Sequence, residues 1–290
     1  MEGDRRRLSR ARDGGGLVEA IADRSRGSLV VVGTGIRVIE QTTPEALGAM
    51  QRADKLFYLV ADPLSDAWVR ELNPTAESLA DAYRPGRARR HSYREMTERI
   101  LAAVRGGLAV CAAFYGHPGV FVGPSHDAIR RARREGFRAR MLPGISAEDC
   151  LFADLGVNPA AAGCQSFEAT DFLAARRRFD PSSALILWQV GVLGEPSVHD
   201  GMTCRPERLA MLAAWLGRFY PPRHPVFLYE ASPFVICDAA IRRTSLAKLS
   251  RSTVQPMMTL YVPPRPSRLR DPRVKRWMTE RGTAAMAPRK

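Results

Sequence analysis

The sequence predicts an α/β protein whose first half is built on a mainly parallel sheet. Short apolar runs rich in β-branched residues alternate with segments of helical periodicity, at about 30 residues per unit. The first apolar run ends in Gly33-Thr34-Gly35, as expected of a buried strand that enters a tight turn. The chain has 290 residues, 45% of them hydrophobic, which is enough to fill one large domain or two ordinary ones.

Strand and helix signals follow one another from residue 29 onward. Residues 29–32 are a β-branched run and predict a buried strand. Thr43-Pro44 resembles an N-cap with proline in the first turn, which predicts a helix that continues through Met50. Residues 56–60 predict a second buried strand, which Asp62-Pro63 ends.

A long helix is predicted over residues 92–105, because Met96, Ile100 and Val104 share one face. Residues 108–114 predict a third strand, which leads into a glycine-rich loop. The first lobe is completed by a helix over residues 125–135 and a strand over residues 138–142.

The second half of the chain, after the hinge at Pro143-Gly144, repeats the alternation less cleanly. Its segments are richer in Thr, Tyr and hairpin-like spacings, which predicts a mixed sheet. Helices are expected at 147–154 and 206–219, and apolar segments at 184–190, 226–229 and 257–262. We expect four parts, namely an Arg/Gly-rich arm at 1–27, lobes at 28–143 and 144–264, and a basic tail at 265–290.

The net charge of +14 is unevenly distributed. Half of the excess lies in residues 265–290, which contain nine basic and two acidic residues. Such a tail attracts polyanions weakly and in a salt-dependent way, and a solvated tail or an acidic protein partner explains it. Because no zinc-finger spacing, RNP motif or basic-region heptad accompanies the charge, we expect no specific nucleic-acid binding.

The five cysteines indicate a reduced compartment. They are odd in number and contain no C-x-x-C pair, so we expect neither a disulfide framework nor a metal site. No run approaches the roughly 18 apolar residues of a membrane span, and the Arg-rich start lacks the apolar stretch of a signal peptide. We therefore expect a cytoplasmic protein without a membrane partner.

Two phosphate-binding motifs are excluded. The third glycine of G-x-G-x-x-G would fall at Val38, and no G-x-x-x-x-G-K-[ST] occurs. Gly33-Thr34-Gly35 on its own is compatible with a simple tight turn.

The loop Tyr115–Phe121 is a more specific candidate site. It places glycines, a proline, a histidine and a tyrosine directly after a strand, where open α/β sheets form their ligand crevice. Glycine in such a loop lets a ligand approach main-chain donors. His117 taken alone is compatible with a structural role.

Residues 83–93 are the third candidate. This segment interleaves Tyr83 and Tyr93 with several arginines, and as a charge run it favours a solvated loop. The same residue types can also form a site, because a guanidinium stabilises negative charge and lowers the pKa of a neighbouring phenol.

Several blocks together resemble the borosin peptide backbone α-N-methyltransferases, over about residues 27–266. The blocks are Val32–Gly35, Phe114–Phe121, Pro143–Cys150, Phe152–Leu155, Trp188–Gly191 and Tyr261–Pro264. The resemblance implies a two-lobed tetrapyrrole methylase-like fold, with S-adenosylmethionine in a cleft between the lobes and S-adenosylhomocysteine as product. It also implies an interlocked homodimer.

The resemblance assigns the site residues position by position. Arg89 and Tyr93 match a catalytic arginine and tyrosine, Tyr83 matches a supporting tyrosine that contacts substrate, and Tyr115 serves both catalysis and the cofactor. The remaining cofactor contacts that it implies are His117, Val120, Ser146, Gln189, Ala231, Met258 and Thr259.

These residue types suit methylation of an amide. The amide nitrogen is a poor nucleophile because its lone pair is delocalised into the carbonyl, so its proton must be removed and the oxyanion stabilised. We expect Tyr93 to act as the base, with Arg89 and Tyr115 donating to the carbonyl oxygen. The roles of Tyr93 and Tyr115 can also be reversed.

The last 26 residues contain only Leu269 and Val274 among the branched aliphatics, so no stretch resembles a Val/Ile-rich core peptide. We therefore expect a split system, in which a separate precursor with its own recognition domain binds the dimer and forms a heterotetramer. Two alternatives remain, a tetrapyrrole or corrinoid C-methyltransferase and a non-catalytic basic binding protein on the same fold.

Overall fold

The fold divides into two compact units that do not follow one another simply along the chain. The computed structural model describes residues 27–84, 86–195, 203–266, 272–274 and 276–277. Unit 1 comprises residues up to Val157 together with Gly194–Met202 and Tyr229–Ile241, and unit 2 comprises the rest. Nearly all of the expected arm and most of the basic tail lie outside the described residues.

Unit 1 is built on a parallel five-stranded sheet, as the sequence predicted. The strands are β1 (Ser28–Gly33), β2 (Lys55–Leu59), β3 (Glu77–Ser78), β4 (Ala109–Phe114) and β5 (Arg138–Met141). Their order is β3-β2-β4-β1-β5, and every pairing is parallel. The carboxyl ends of β1, β4 and β5 therefore lie side by side.

Helices cover both faces of this sheet. They are α1 (Val38–Gln41), α2 (Pro44–Arg52), α3 (Pro63–Leu72), α4 (Arg89–Arg105), α5 (Gly123–Arg134) and α6 (Ala147–Leu155), with a 3-10 turn at Ala80–Ala82. Alternate β1 residues face opposite layers. Val31 packs with α4 and α5 residues, and Val32 packs with α2 and α3 residues.

Three observations correct the expected layout of unit 1. Helix α3 was missed because Asp62-Pro63 was taken only as a strand breaker, whereas the Asp62 carboxylate accepts a hydrogen bond from the Ser65 amide (2.9 Å) and caps the helix. Helix α4 begins at Arg89 rather than at residue 92. Helix α6 groups with unit 1, although the expected boundary lay at Pro143-Gly144.

Unit 2 contains a mixed sheet, again as predicted. Its strands are β6 (Cys164–Glu168), β7 (Ala184–Trp188), β8 (Pro225–Glu230), β9 (Ala240–Ser245) and β10 (Thr259–Val262), in the order β6-β7-β10-β8-β9. β6 runs parallel to β7, and β10 antiparallel. Its helices are α7 (Ala169–Ala174) and α8 (Pro206–Leu216), with 3-10 turns at Val190–Val192 and Leu246–Arg251.

The sequence patterns missed β6, α7 and β9. β9 is exposed over its first four residues, so it carries no apolar run that a periodicity argument detects. Among the residues that the structure describes, no helix is long and apolar enough to cross a membrane.

Candidate active site

Three turns meet at the carboxyl ends of β1, β4 and β5. The Gly116 amide donates to the Gly35 carbonyl (2.7 Å), and the Gly35 amide donates back to the Gly116 carbonyl (3.3 Å). A Cβ on Gly33 would lie 2.2 Å from the Gly116 oxygen, and one on Gly144 would lie 3.3 Å from the Gly33 Cα. The three turns thus approach one another so closely that they touch through main-chain atoms.

Gln41, which was not predicted as a site residue, supports the first of these turns. Its Oε1 accepts hydrogen bonds from the amides of Ile36 (2.8 Å) and Arg37 (3.0 Å), directly after Gly35. The neighbouring Thr42 hydroxyl donates to the Thr34 carbonyl (3.0 Å). A polar residue at the end of a short helix was the only available signal.

His117 organises the loop after β4. Its Nδ1 accepts a hydrogen bond from the Gly119 amide (2.9 Å), so a neutral ring carries its proton on Nε2. The next loop residues, Val120 and Phe121, are exposed, and Phe121 adopts a positive φ of 58°. The imidazole therefore has a structural role in shaping the loop, and a cofactor contact by His117 stays a prediction.

Tyr83, Arg89, Tyr93 and Tyr115 are brought together in unit 1. The Tyr83 and Tyr93 rings meet edge to face, with centroids 6.4 Å apart and planes at 74°. Arg89 and Tyr115 interact electrostatically with Tyr83. The residues assigned to catalysis and to substrate thus form one cluster.

Helix α4 explains part of this arrangement. Arg89 is its first residue and Tyr93 lies one turn later, so both side chains project from one face of the helix. The Arg89 Nη2 donates to the Glu195 carbonyl at 2.9 Å. The solvated-loop interpretation of residues 83–93 is therefore wrong for the helical part of the segment.

Two tyrosines of the cluster, Tyr83 and Tyr115, have a raised pKa. Burial raises the pKa of Tyr83, and the nearby charges of Tyr93 and Tyr115 raise it further, against a smaller lowering by Arg89. Burial also raises the pKa of Tyr115, with a contribution from Tyr93. Tyr83 and Tyr115 accordingly remain protonated near neutral pH and act as hydrogen-bond donors.

Ser146 is committed to the start of helix α6. Its hydroxyl donates to the Asp149 carboxylate (2.7 Å) and accepts from the Glu148 (3.2 Å) and Asp149 (3.3 Å) amides, which forms a capping box. The Ser146 amide also donates to the Asp149 carboxylate (2.7 Å), so its hydroxyl and its amide both take part in the cap, and a cofactor contact by Ser146 stays a prediction. Ala231 follows β8, is partly buried and groups with unit 1.

The other three predicted cofactor residues belong to unit 2. Gln189 follows β7 in a left-handed conformation (φ 57°, ψ 33°), and Met258 and Thr259 are buried at the start of β10. The antiparallel register, in which Leu260 faces Leu187, places all three at one end of the β7/β10 ladder. In the described part of the chain, no three His, Cys, Asp or Glu side chains are placed to hold a metal ion.

Comparisons with known proteins identify a matching family and a solved structure with a similar fold. Residues 28–249 match the family described as Tetrapyrrole (Corrin/Porphyrin) Methylases. A uroporphyrin-III C-methyltransferase from Thermus thermophilus superposes with a TM-score of 0.58 at 20% identity, over 82% of this chain and 92% of that one. At that identity the likeness concerns the fold alone.

Two fungal relatives are similar in sequence. The chain is 40% identical over 253 residues to the methyltransferase/ribosomally synthesized cyclic peptide dendrothelin A precursor of Dendrothele bispora, which covers 86% of this chain and 60% of that protein. It is also 40% identical over 249 residues to a methyltransferase/ribosomally synthesized type I borosin cyclic peptide precursor of Serendipita vermifera, which covers 83% and 60%. The chain thus spans about 60% of the length of these relatives.

Proposed function

Because the chain belongs to the tetrapyrrole (corrin/porphyrin) methylase family, we propose that it methylates backbone amide nitrogens of a separate precursor peptide, with S-adenosylmethionine as methyl donor. The observation that carries the proposal is the Tyr83–Arg89–Tyr93–Tyr115 cluster, which combines phenols and a guanidinium. The names of the fungal relatives, which join a methyltransferase to a cyclic peptide precursor, support a peptide substrate.

The cluster suits the chemistry of an amide. Tyr93 acts as the base in its phenolate form, so that its oxygen takes the amide proton and the negative charge passes to the amide, where it spreads onto the carbonyl oxygen. Arg89 and the protonated Tyr115 donate to that oxygen, while the Tyr83 ring lies against the Tyr93 ring. Burial disfavours the phenolate of Tyr115, so we assign Tyr115 the role of hydrogen-bond donor and Tyr93 that of base.

The turn at Gly116 fits a ligand that approaches the main chain closely, since a Cβ there would meet only the Ile36 Cδ1 at 3.6 Å, whereas the space beside Gly33 and Gly144 is filled by the neighbouring turns. S-adenosylmethionine supplies an electrophilic methyl group when bound. The loop around His117 and Val120 would hold it in unit 1. Ser146 and Ala231 of the same unit, and Gln189, Met258 and Thr259 of unit 2, are the further contacts to be tested by substitution.

The proposed assembly is a homodimer that binds two precursors. The basic composition of the chain favours an acidic precursor, so precursor binding is expected to weaken as salt is raised. Binding that does not respond to salt would contradict an acidic partner. Size measurement of the enzyme with and without precursor tests the proposed stoichiometry.

Mass spectrometry provides the decisive experiment. A candidate precursor incubated with the enzyme and S-adenosylmethionine should gain increments of one methyl group on main-chain nitrogens, located by fragmentation. Tyr93→Phe should abolish these increments while cofactor binding persists. Tyr220→Phe is the matched control, because the Tyr220 hydroxyl is buried in unit 2 without a hydrogen-bond partner among the described residues.

A tetrapyrrole substrate is the competing function, and the family description is what favours it. Parallel incubation with uroporphyrinogen III distinguishes the two functions. Methylation of the tetrapyrrole and not of the peptide would overturn the proposal, as would full activity of Tyr93→Phe.

A further inference from the structure

Helix α4 holds the segment that precedes it through a set of ion pairs. Arg99 binds Asp81 through Nη1 (2.6 Å) and Glu77 through Nη2 (2.6 Å), and its Nη2 also donates to the Ser78 carbonyl (3.0 Å). One turn earlier on the helix, Glu95 makes two further ion pairs to the same segment.

The Glu95 carboxylate binds two arginines that follow Tyr83. Its Oε2 pairs with Arg87, and its Oε1 lies 3.5 Å from the Arg84 Nη2. Tyr83 therefore stands between two anchored points, Asp81 on one side and Arg84 on the other. The two residues that bind these points, Arg99 and Glu95, lie on helix α4, which also carries Tyr93.

This placement matters because the ring contact alone does not fix Tyr83. The residue is exposed over 38% of its surface, and its ring meets the Tyr93 ring edge to face. Gly86 lies in the turn between the paired arginines with a positive φ of 73°, and a Cβ there would meet nothing within 4 Å. The turn itself is closed by a hydrogen bond from the Arg87 amide to the Arg84 carbonyl (3.0 Å), and the ion pairs to Glu95 tie this turn to helix α4.

A role in stability does not account for so many pairs. Partly exposed ion pairs typically contribute about 0–1 kcal/mol each to folding. Glu95 and Arg87 are each about a quarter exposed (27%), so their pair is partly shielded from solvent. The effect of such a pair is on orientation, which bears directly on reaction rates.

We infer that Glu95 is a positioning residue, which through Arg84 and Arg87 keeps the segment around Tyr83 against helix α4 and so holds the Tyr83 ring against the Tyr93 ring. The inference rests on the proposed function, in which Tyr93 acts at the reacting amide. Glu95 itself touches neither substrate nor cofactor. Its removal should lower turnover and leave cofactor affinity unchanged.

The test compares three variants of the full chain. Glu95→Ala removes both pairs while alanine keeps the helix, and kcat should fall by roughly tenfold or more with KM for S-adenosylmethionine unchanged. Glu95→Asp keeps the charge and should recover part of the loss. Glu98→Ala is the matched control, because Glu98 lies on the same helix but pairs with Arg105 and Arg131 instead.

Hydrogen exchange separates failure of this inference from failure of the proposed function. Amides of residues 79–84 and 86–88 should exchange faster in Glu95→Ala than in the wild type or in Glu98→Ala, whatever the substrate is. A wild-type enzyme that methylates no peptide would overturn the proposed function. Unchanged kcat, or an equal fall in Glu98→Ala, would overturn the positioning role, as would unchanged exchange.

Discussion

Replacing Gly33 by alanine tests whether the three glycine turns form a close main-chain contact. The new Cβ would lie 2.2 Å from the Gly116 carbonyl oxygen and 2.7 Å from the Pro118 Cδ. Both neighbours belong to the loop after β4, and one of them is backbone, so neither can rotate away as a flexible side chain can. Gly33 is not among the residues with positive φ, so the substitution introduces the contact without backbone strain of its own.

The magnitude follows from that contact. The Gly116 oxygen must move by about 0.8 Å to reach 3.0 Å, below which real Cβ contacts essentially do not occur. Such a shift disturbs the paired hydrogen bonds between Gly35 and Gly116. Overpacking and a weakened hydrogen bond together cost about 2–4 kcal/mol of unfolding free energy. Because the displaced loop carries His117 and Val120, affinity for S-adenosylmethionine should fall at least about tenfold, which corresponds to roughly 1.4 kcal/mol.

Urea denaturation and calorimetric titration with S-adenosylmethionine measure the two effects. The matched control is Gly48→Ala in helix α2, where the new Cβ would meet only the guanidinium end of Arg52 (2.7 Å). That side chain can swing aside, so the control should be about 0.5–1 kcal/mol more stable than the wild type. If Gly33→Ala unfolds and binds as the wild type does, the close approach of the turns is refuted.

Two further substitutions probe unit 1. Asn73 is buried, and its side-chain amide donates to the Met50 and Ala53 carbonyls (2.9 Å each) while its oxygen accepts from Thr75. Asn73→Ala should therefore lower the unfolding free energy by about 2–3 kcal/mol. A loss below about 1 kcal/mol in urea denaturation would contradict this. Hydrogen bonds from Arg70 and then from Tyr58 lower the pKa of Asp66, so these bonds stabilise the fold at neutral pH and are lost as pH falls through the lowered pKa. The stability gap between the wild type and Asp66→Ala should accordingly shrink between pH 7 and pH 3, and a constant gap would argue against the ionised pair.

The strand pattern of unit 1 was predictable because its strands are buried on both faces. Continuous apolar runs at β1, β2 and β4 mark such strands, and the parallel order followed from the alternation with helices. Helix α3 and strand β9 were missed for opposite reasons. Asp62-Pro63 ends one element and begins the next, and β9 is too exposed to show a hydrophobic period.

The tetrapyrrole methylase-like fold was predictable from extended motifs, and the match over residues 28–249 confirms that the chain belongs to the tetrapyrrole (corrin/porphyrin) methylase family. The clustering of Tyr83, Arg89, Tyr93 and Tyr115 is visible only in the fold, because Tyr115 follows β4 whereas Arg89 and Tyr93 lie on α4. The supporting side chains were hidden in the sequence. Gln41 and Glu95 act through bonds to backbone and arginine, and an i,i+4 Glu95–Arg99 spacing looks like an ordinary exposed helix pair.

The contact between Gly33, Gly116 and Gly144 also bears on the order in which the polypeptide matures. The glycines come from distant points of the chain and meet only after β5 has paired with β1. During synthesis the contact among the three turns therefore cannot be completed until residues beyond 144 have emerged, since non-local contacts form late. A fragment that ends within β5 would retain the first four strands of the sheet but would lack the third turn of this contact.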